Sequence, residues 1–461
     1  MTIDPYLGAL DLARAYRSGE ITARNVVDGL LARIETLDPK LGAFQAVYAD
    51  DARCAAEAAD AAMQSGHRVG PFHGVPFAAK DVVDIAGRIT TGGSLTLADR
   101  VSPTTATIAQ RLLAAGGILV GKTKTMEFSM GGWGTNLTMG TPWNPWDPDI
   151  HRTPGGSSSG SGVAVGAGLV PCAVGSDTGG SVRTPSAWNG TVGLKTTEGI
   201  LPTDGLIPCS VSIDTVGPMT RSVGDAAFMY DVMAGQEAGS LESHLTEDGF
   251  LALPRADGVR GLRLAALQKA DREGVEDAIL ALYDAALDRL RELGAEIVPF
   301  TPPVPWQKMA EGTGLIFTAE GYVHYGDLME DPEAPVDEDV RRRLLPGRDI
   351  SARDYIAALL TRQAHIAAFL ESMQGLAALV TPTLTTVPIP LTEVNQTAYP
   401  ARFTRPFNYL AMCALALPMG LTGDGFPGGL QIAARGRDEA MALRIGAAFE
   451  QALGPIGHPP V

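Results

Sequence analysis

The chain has 461 residues, with 36 Lys and Arg against 52 Asp and Glu, so its formal net charge is −16 at pH 7. A field of this sign repels nucleic acid and anionic membrane surfaces, which argues against both partners and favours neutral or cationic ligands. Apolar residues at 45% and charged residues at 19% exclude a disordered chain and fit a large core. Because no linker or regular repeat divides the sequence, we predict one domain over residues 1–461.

Cysteine usage and apolar runs limit the cellular context. The four cysteines lie far apart with no CxxC pair, so neither a disulfide scaffold nor a zinc ribbon is predicted. The N-terminus has no basic segment followed by an apolar one, and the longest apolar runs are too short to span a bilayer. We therefore expect a cytoplasmic protein. Because no metal-ligand spacing is present, we expect it to bind no metal, and no organic cofactor is expected either.

The N-terminal third reads as packing helices and short strands. Asp4 and Pro5 are predicted to cap a first helix, and Thr22 to begin a second one. A strand over 41–48 and an Ala-rich helix over 50–64 follow. The second helix has one apolar face, formed by Val26, Val27, Leu30, Ile34 and Leu37.

A short apolar strand over 75–79 delivers Lys80 at its end, beside Asp81. A lone lysine at a strand end is most often solvated, so this position alone indicates no chemistry. His73 has no second histidine or carboxylate at ligand spacing, and we assign it no role.

Two further patterns match the residue order of known motifs but lack the predicted strands and helices that those motifs require. Gly116, Gly121, Lys122 and Thr123 satisfy the P-loop pattern, but a phosphate-binding loop lies between a strand and a helix, whereas here the predicted strand 118–120 lies inside it. The G-x-S-x-G pattern around Ser158 lacks the buried strand that precedes a nucleophile elbow. A phosphate-binding NTPase therefore remains only as the weakest alternative.

Residues 153–195 hold two Gly/Ser clusters, 155–162 and 175–181, on either side of an apolar run of small residues. We predict a helix over 163–168 and a buried strand over 169–174, which would fold both serine loops back onto one point. Gly179 and Gly180 before Ser181 allow consecutive backbone N–H groups to converge, an arrangement that can hold an oxyanion.

Beyond this stretch we predict a helix over 222–233, a strand over 262–267, a helix over 275–293 and a strand over 296–299. This alternation indicates an α/β fold. Residues 306–348 are the least regular part, and we consider residues 304–348 a candidate substrate lid. Ordinary helical packing with a solvated basic face is the alternative.

Three motifs together, GVPFAAKD, TPGGSSSGSG and GSDTGGSVRTPS, resemble the amidase signature family, most densely over residues 72–227. The resemblance implies a single α/β domain with a mixed central β-sheet covered by helices. It also implies that Lys80, Ser157 and Ser181 are catalytic, with Ser181 the nucleophile and a cis peptide before the bridging Ser157. This sequence departs from the usual pattern at Thr125, Ser159 and Asn189, which weakens any transfer of substrate specificity.

The chemistry can also be argued from the residues. A serine hydroxyl needs a base, and since no Ser-His-Asp set is evident, lysine is the remaining candidate. With a reference pKa of about 10.4, about one lysine in 2,500 is neutral at pH 7, so Lys80 must be buried to serve. Lys80 would then take the proton of Ser157, which takes that of Ser181.

The loop around the nucleophile supplies the remaining predicted groups. The backbone N–H groups of Thr178, Gly179, Gly180 and Ser181 are predicted to hold the oxyanion. By the resemblance, Asp177 and Arg183 pair to fix this loop, with a surface ion pair as the alternative. Three other serines, Ser158, Ser159 and Ser161, are left without a role.

We therefore predict a hydrolase that cleaves carbon–nitrogen bonds of linear amides, with carbamates (urethanes) and esters also open. The predicted partner is a small neutral amide-like substrate with an apolar or aromatic part, without nucleic acid or membrane, and a homodimer stays open. The main alternative, which the resemblance also covers, is the glutamine-hydrolysing subunit of an aminoacyl-tRNA amidotransferase.

Overall fold

Eleven strands form one mixed sheet in this computed structural model, which describes residues 3–66, 69–235, 258–398 and 402–461. The strand order across the sheet is β1-β3-β2-β4-β6-β5-β10-β11-β9-β7-β8. Neighbours β3, β2 and β4 run parallel, as do β9, β7 and β8, and the strands between them pair antiparallel. The predicted α/β class with a mixed sheet covered by helices is confirmed.

The strands are β1 Phe44–Val47, β2 Pro76–Lys80, β3 Ile118–Thr123, β4 Cys172–Asp177, β5 Val192–Lys195, β6 Thr215–Thr220, β7 Arg263–Leu267, β8 Glu296–Phe300, β9 Ala378–Pro382, β10 Cys413–Leu421 and β11 Pro427–Ala434. The helices of the described residues are α1 Ala9–Ser18, α2 Ala23–Leu41, α3 Ala49–Gln64, α4 Thr107–Ala114, α5 Ser159–Gly166, α6 Arg183–Asn189, α7 Val223–Ala234, α8 Asp277–Glu292, α9 Trp306–Glu330, α10 Glu338–Leu344, α11 Ala352–Ser372, α12 Arg405–Tyr409 and α13 Glu439–Leu453. Short 3-10 turns lie at Leu95–Leu97, Glu127–Ser129, Lys269–Arg272, Leu345–Asp349 and Leu391–Glu393.

The central strands are buried along their whole length because helices pack on them. Every residue of β2, β4, β5 and β6 is buried. One apolar cluster joins β2, β3 and β4 to the N-terminal helices, and a second joins the strands from β7 to β11 to α8 and α13. Polar side chains at the ends of the central strands are therefore surrounded by protein.

Most predicted elements are present within a few residues of the expected bounds. The Thr22 hydroxyl accepts a hydrogen bond from the Asn25 backbone N–H and caps α2. The predicted cap of the first helix is wrong, because α1 begins after Gly8 and Asp4 instead accepts from the Tyr6 backbone N–H in the preceding turn. The carboxylate that reaches the start of α1 is that of Asp225, which accepts from the Leu10 N–H at 2.8 Å.

The buried strand in the serine-rich stretch lies three residues later than predicted, at Cys172–Asp177. Residues from Gly175 to Asp177 pair with β6, and this pairing, which the local sequence does not encode, extends the strand beyond the apolar run. The preceding helix also begins earlier than predicted, at Ser159.

Residues 306–348 are not irregular, contrary to the prediction, since α9 and α10 occupy most of them. Buried positions recur along α9 every three or four residues, as in any amphipathic helix. However, Thr313 and Glu320 fill two of these positions, so the apolar stripe is interrupted in the sequence. Within the described ranges, no helix has both the length and the apolar character that a bilayer span requires.

Candidate active site

Lys80 is the last residue of β2, and its side chain is completely buried. Its Nζ donates hydrogen bonds to Ser157 Oγ at 2.7 Å and to Ser176 Oγ at 2.8 Å. Burial lowers the pKa of Lys80 to about 7, although the nearby groups Cys209, Asp214 and Asp177 act in the opposite direction. An amine of this kind is available in its neutral form near neutral pH.

Ser157 lies in the loop before α5, and this loop is held against the segment that follows β3. The peptide bond between Gly156 and Ser157 is cis, as the resemblance implied. The carbonyl oxygen of Ser157 accepts from Thr125 Oγ1 at 3.1 Å and from the Met126 N–H at 3.3 Å. Gly155 has φ of +76°, and a Cβ at this residue would lie 2.8 Å from Pro185 Cα, so only glycine fits the turn.

Ser181 lies between β4 and α6, next to the Ser157 loop. The Ser158 N–H donates to the Ser181 carbonyl oxygen at 3.2 Å, which joins the two serine loops directly. Only 4% of Ser181 is exposed, and Ser157 is fully buried. The structure thus brings together Lys80, Ser157 and Ser181, the three residues that the sequence motifs indicate.

Asp177 and Arg183 form a buried ion pair, so the alternative of a surface pair is wrong. Arg183 Nη2 lies 2.9 Å from Asp177 Oδ1, and neither side chain is exposed. Burial alone would raise the pKa of Asp177, but the Arg183 guanidinium holds it well below its usual range. Arg183 also donates to Asn408 Oδ1 and Gln431 Oε1, so α12 and β11 fix its position.

The predicted oxyanion site needs one correction. The Gly180 N–H donates to Asp177 Oδ1 at 2.7 Å, so it is already engaged and we remove it from the set of donors. Gly180 is still required for shape, because its φ is +129° and a Cβ would lie 2.4 Å from Thr404 Oγ1. Thr178, Gly179 and Ser181 remain predicted donors, and the Thr178 hydroxyl donates to Asp214 Oδ1 at 2.5 Å.

Sequence reasoning missed Ser176, the second hydroxyl on Lys80. The parallel pairing of β2 with β4 places Ala79 opposite Val174. Lys80, one residue further along β2, therefore lies close enough to Ser176, two residues further along β4, to donate to its hydroxyl. The sequence could have indicated Ser176, because this residue lies within the motif GSDTGGS. The sequence pattern predicted a loop at Ser176, whereas this residue belongs to β4.

The unassigned serines contact loop and strand groups. Ser158 Oγ donates to the Ser176 carbonyl oxygen at 3.2 Å, and Ser161 Oγ lies 2.7 Å from Thr123 Oγ1. The buried Ser159 Oγ has no hydrogen-bond partner among the described residues.

Two sequence patterns have structural roles instead of catalytic ones. Lys122 and Thr123 belong to β3, so the P-loop pattern forms no loop, and Lys122 Nζ pairs with Asp81 Oδ1 at 2.9 Å. His73 Nε2 lies 2.9 Å from the Ala59 carbonyl oxygen and takes no part in the site. Across the described ranges, no cluster of His, Cys, Asp and Glu is arranged to hold a metal ion.

The candidate lid packs on the segment that supports Ser157. The Asp337 N–H donates to Glu127 Oε2 at 2.6 Å, and Arg343 Nη1 donates to the Met130 carbonyl oxygen at 3.0 Å. The region is therefore adjacent to the site, and its mobility stays a prediction.

Comparison with known proteins places the chain in a family. The Amidase family model matches residues 25–443. The chain is 36% identical to a glutamyl-tRNA(Gln) amidotransferase subunit of Anaeromyxobacter sp. (strain K), over 98% of both sequences. It is 34% identical to an acylamidase of Rhodococcus erythropolis, over 96% of this chain and 95% of that one.

Among solved structures, the native peptide amidase from Stenotrophomonas maltophilia has a TM-score of 0.83 and 29% sequence identity, with 98% of each chain covered. The chain belongs to the amidase signature family.

Proposed function

We propose that this amidase signature protein hydrolyses the carbon–nitrogen bond of small neutral amides through an acyl-enzyme on Ser181. The observation that carries the proposal is the contact of the fully buried Lys80 Nζ with Ser157 Oγ at 2.7 Å, next to the Ser181 loop. Neutral Lys80 accepts the Ser157 proton while Ser157 accepts that of Ser181, and the Ser181 oxygen attacks the amide carbonyl carbon.

The remaining steps follow from the same groups. The oxyanion forms beside the backbone N–H groups of Thr178, Gly179 and Ser181, each good donor being worth about 100- to 1,000-fold in rate. The protonated Lys80 returns a proton through Ser157 to the departing amine as the carbon–nitrogen bond breaks. Water then attacks the acyl-enzyme with the same base, which releases the acid and restores Ser181.

Because the relay can protonate a leaving amine, it suits amides and carbamates as well as esters. The net charge of −16 gives no general attraction to carboxylates, which supports a neutral substrate. A panel of an aryl amide, an aryl carbamate, a short aliphatic amide, malonamate and glutamine under one condition identifies the class. We expect the aryl amide to be preferred, and a clear preference for malonamate or glutamine would contradict the neutral-substrate proposal.

Replacement of Ser181 with Ala tests the nucleophile. We expect loss of turnover and of covalent labelling by a fluorophosphonate, measured by intact mass. The matched control is Ser159→Ala at the start of α5, because the Ser159 hydroxyl has no hydrogen-bond partner among the described residues. Persistent labelling of Ser181→Ala would identify another nucleophile.

The second candidate is the glutamine-hydrolysing subunit of an aminoacyl-tRNA amidotransferase. It is favoured by the 36% identity to the Anaeromyxobacter amidotransferase subunit over 98% of both chains. Such a protein would hydrolyse glutamine efficiently only together with a copurifying partner. Glutamine hydrolysis that appears on addition of that partner would select this function over the independent amidase.

A further inference from the structure

The loop of residues 208–214 lies against the nucleophile loop. Its last residue, Asp214, binds backbone groups of its own loop on one side and Thr178 of the nucleophile loop on the other. Asp214 Oδ2 accepts from the backbone N–H groups of Cys209 and Ser210, both at 2.9 Å. Its Oδ1 accepts from the Thr178 hydroxyl at 2.5 Å. The position of Thr178, a predicted oxyanion donor, therefore depends on where this loop holds Asp214.

The outer side of the same loop is held by a second carboxylate, that of Glu320 on α9. Glu320 Oε2 accepts from Ser210 Oγ at 2.5 Å and from the Ser212 N–H at 3.1 Å. Its Oε1 accepts from Ser212 Oγ at 2.5 Å and from Tyr355 Oη at 2.6 Å. Four donors thus converge on one side chain that is only 9% exposed.

These hydrogen bonds, and no ion pair among the described residues, hold the Glu320 carboxylate. Burial alone would raise the pKa of Glu320, but the hydroxyls of Ser210, Ser212 and Tyr355 lower it. A buried carboxylate in the middle of an amphipathic stripe costs desolvation energy, which three hydroxyls and one N–H offset here. An apolar residue would fill this position of α9 without that cost, which indicates that the contact with the loop is its purpose.

We propose that Glu320 is a positioning residue for the amide-cleaving reaction. By fixing Ser210 and Ser212, it holds the 208–214 loop so that Asp214 keeps Thr178 in place beside Ser181. The region predicted as a lid thereby sets the geometry of the oxyanion site through one side chain, without contact with the substrate. The inference rests on the proposed function, because it needs Ser181 as the nucleophile.

The test compares three variants of the full chain on one aryl amide. Glu320→Ala removes all four contacts, and we expect kcat to fall about 10- to 100-fold with little change in KM, since small misplacements of catalytic groups cost this much. In Glu320→Gln, the amide oxygen can accept at Ser210 and the Ser212 N–H, while its NH2 faces two hydroxyls that can turn to accept. We expect this variant to recover most of the lost kcat.

Tyr355→Phe is the matched control. It removes one hydrogen bond from the same carboxylate but leaves both serine contacts, so kcat should stay unchanged. If Glu320→Ala does not fold, Glu320→Asp takes its place, because the shorter side chain withdraws the carboxylate from the loop.

A second readout separates catalysis from stability. The rate at which a fluorophosphonate labels Ser181 should fall in parallel with kcat for Glu320→Ala. A lower melting temperature with wild-type kcat and wild-type labelling rate would overturn the inference, as would an equal loss of kcat in Tyr355→Phe. Failure of the proposed function would look different, because wild-type protein would then show no labelling at Ser181.

Discussion

Two fully buried lysines lie at the ends of strands on either side of Asp177, and their surroundings differ in one respect. Lys80 donates to the hydroxyls of Ser157 and Ser176, whereas Lys195 donates to the carbonyl oxygens of Thr196 and Met412. Burial lowers the pKa of both, to about 7 for Lys80 and about 8 for Lys195.

Burial and hydrogen-bond partners affect these two amines in different ways. Burial makes either amine easier to deprotonate, but a carbonyl oxygen carries no proton for the amine to take. Of these two lysines, Lys80 alone donates to hydroxyls, and one of them, that of Ser157, belongs to the loop that contacts the Ser181 loop. Lys195 fixes the end of β5 against the backbone before β10, and we assign it a structural role.

The largest difference is expected when each lysine is replaced by alanine. Lys80→Ala should lower kcat by about 100- to 10,000-fold, the contribution of a general base. Lys195→Ala should instead lower the melting temperature and leave kcat of the folded protein near wild type. Steady-state kinetics and thermal unfolding of both variants measure this, and an equally inactive but folded Lys195→Ala would contradict the distinction.

The Asp177 carboxylate lies close enough to Lys80 and Lys195 to act on the pKa of both. Its replacement tests the buried ion pair that Asp177 forms with Arg183. Asp177→Asn leaves the buried Arg183 without its counter-ion, and we expect the free energy of unfolding to fall by about 3 to 5 kcal/mol. Urea denaturation measures this loss. The control is Asp50→Asn, whose carboxylate is fully exposed in its pair with Arg53 and should leave stability unchanged. A stability of Asp177→Asn equal to wild type would show that the buried pair does not hold the loop.

The dependence of activity on pH distinguishes the two amines further. A general base acts in its deprotonated form, so kcat/KM should fall about tenfold per unit as pH decreases below the Lys80 pKa of about 7. Above that pH the neutral amine predominates and the rate should reach a plateau. Lys195→Met should leave the midpoint of the kcat/KM profile at the wild-type pH. A midpoint that shifts in Lys195→Met would show that Lys195, and not Lys80, controls the titration.

The smallest expected effect is that of chelation. Since the proposed chemistry uses a lysine and two serines, dialysis against EDTA should leave the rate unchanged. Activity assays before and after dialysis measure it, and a loss that only added metal restores would contradict the lysine–serine relay.

The short motifs in the sequence indicated the proposed catalytic group. The motifs singled out Lys80, Ser157 and Ser181, and the structure places these residues next to one another, while their catalytic roles stay a prediction. Strands and helices with clear apolar patterns, such as β7, α8 and β8, were also predictable. In α9, the polar residues Thr313 and Glu320 fill buried positions, so the apolar periodicity did not predict this helix.

By itself the sequence determined the α/β class and the helices with regular apolar faces, and it indicated the serine and lysine residues proposed for catalysis, because these depend on local periodicity and motif spacing. Tertiary structure alone decided that Ser176 belongs to β4 and meets Lys80, that Asp177 takes the Gly180 N–H, and that Glu320 reaches the 208–214 loop. The reason is physical, since strand register and burial are set by partners far away in the chain. Burial of Lys80 among those partners is also what lowers its pKa to about 7.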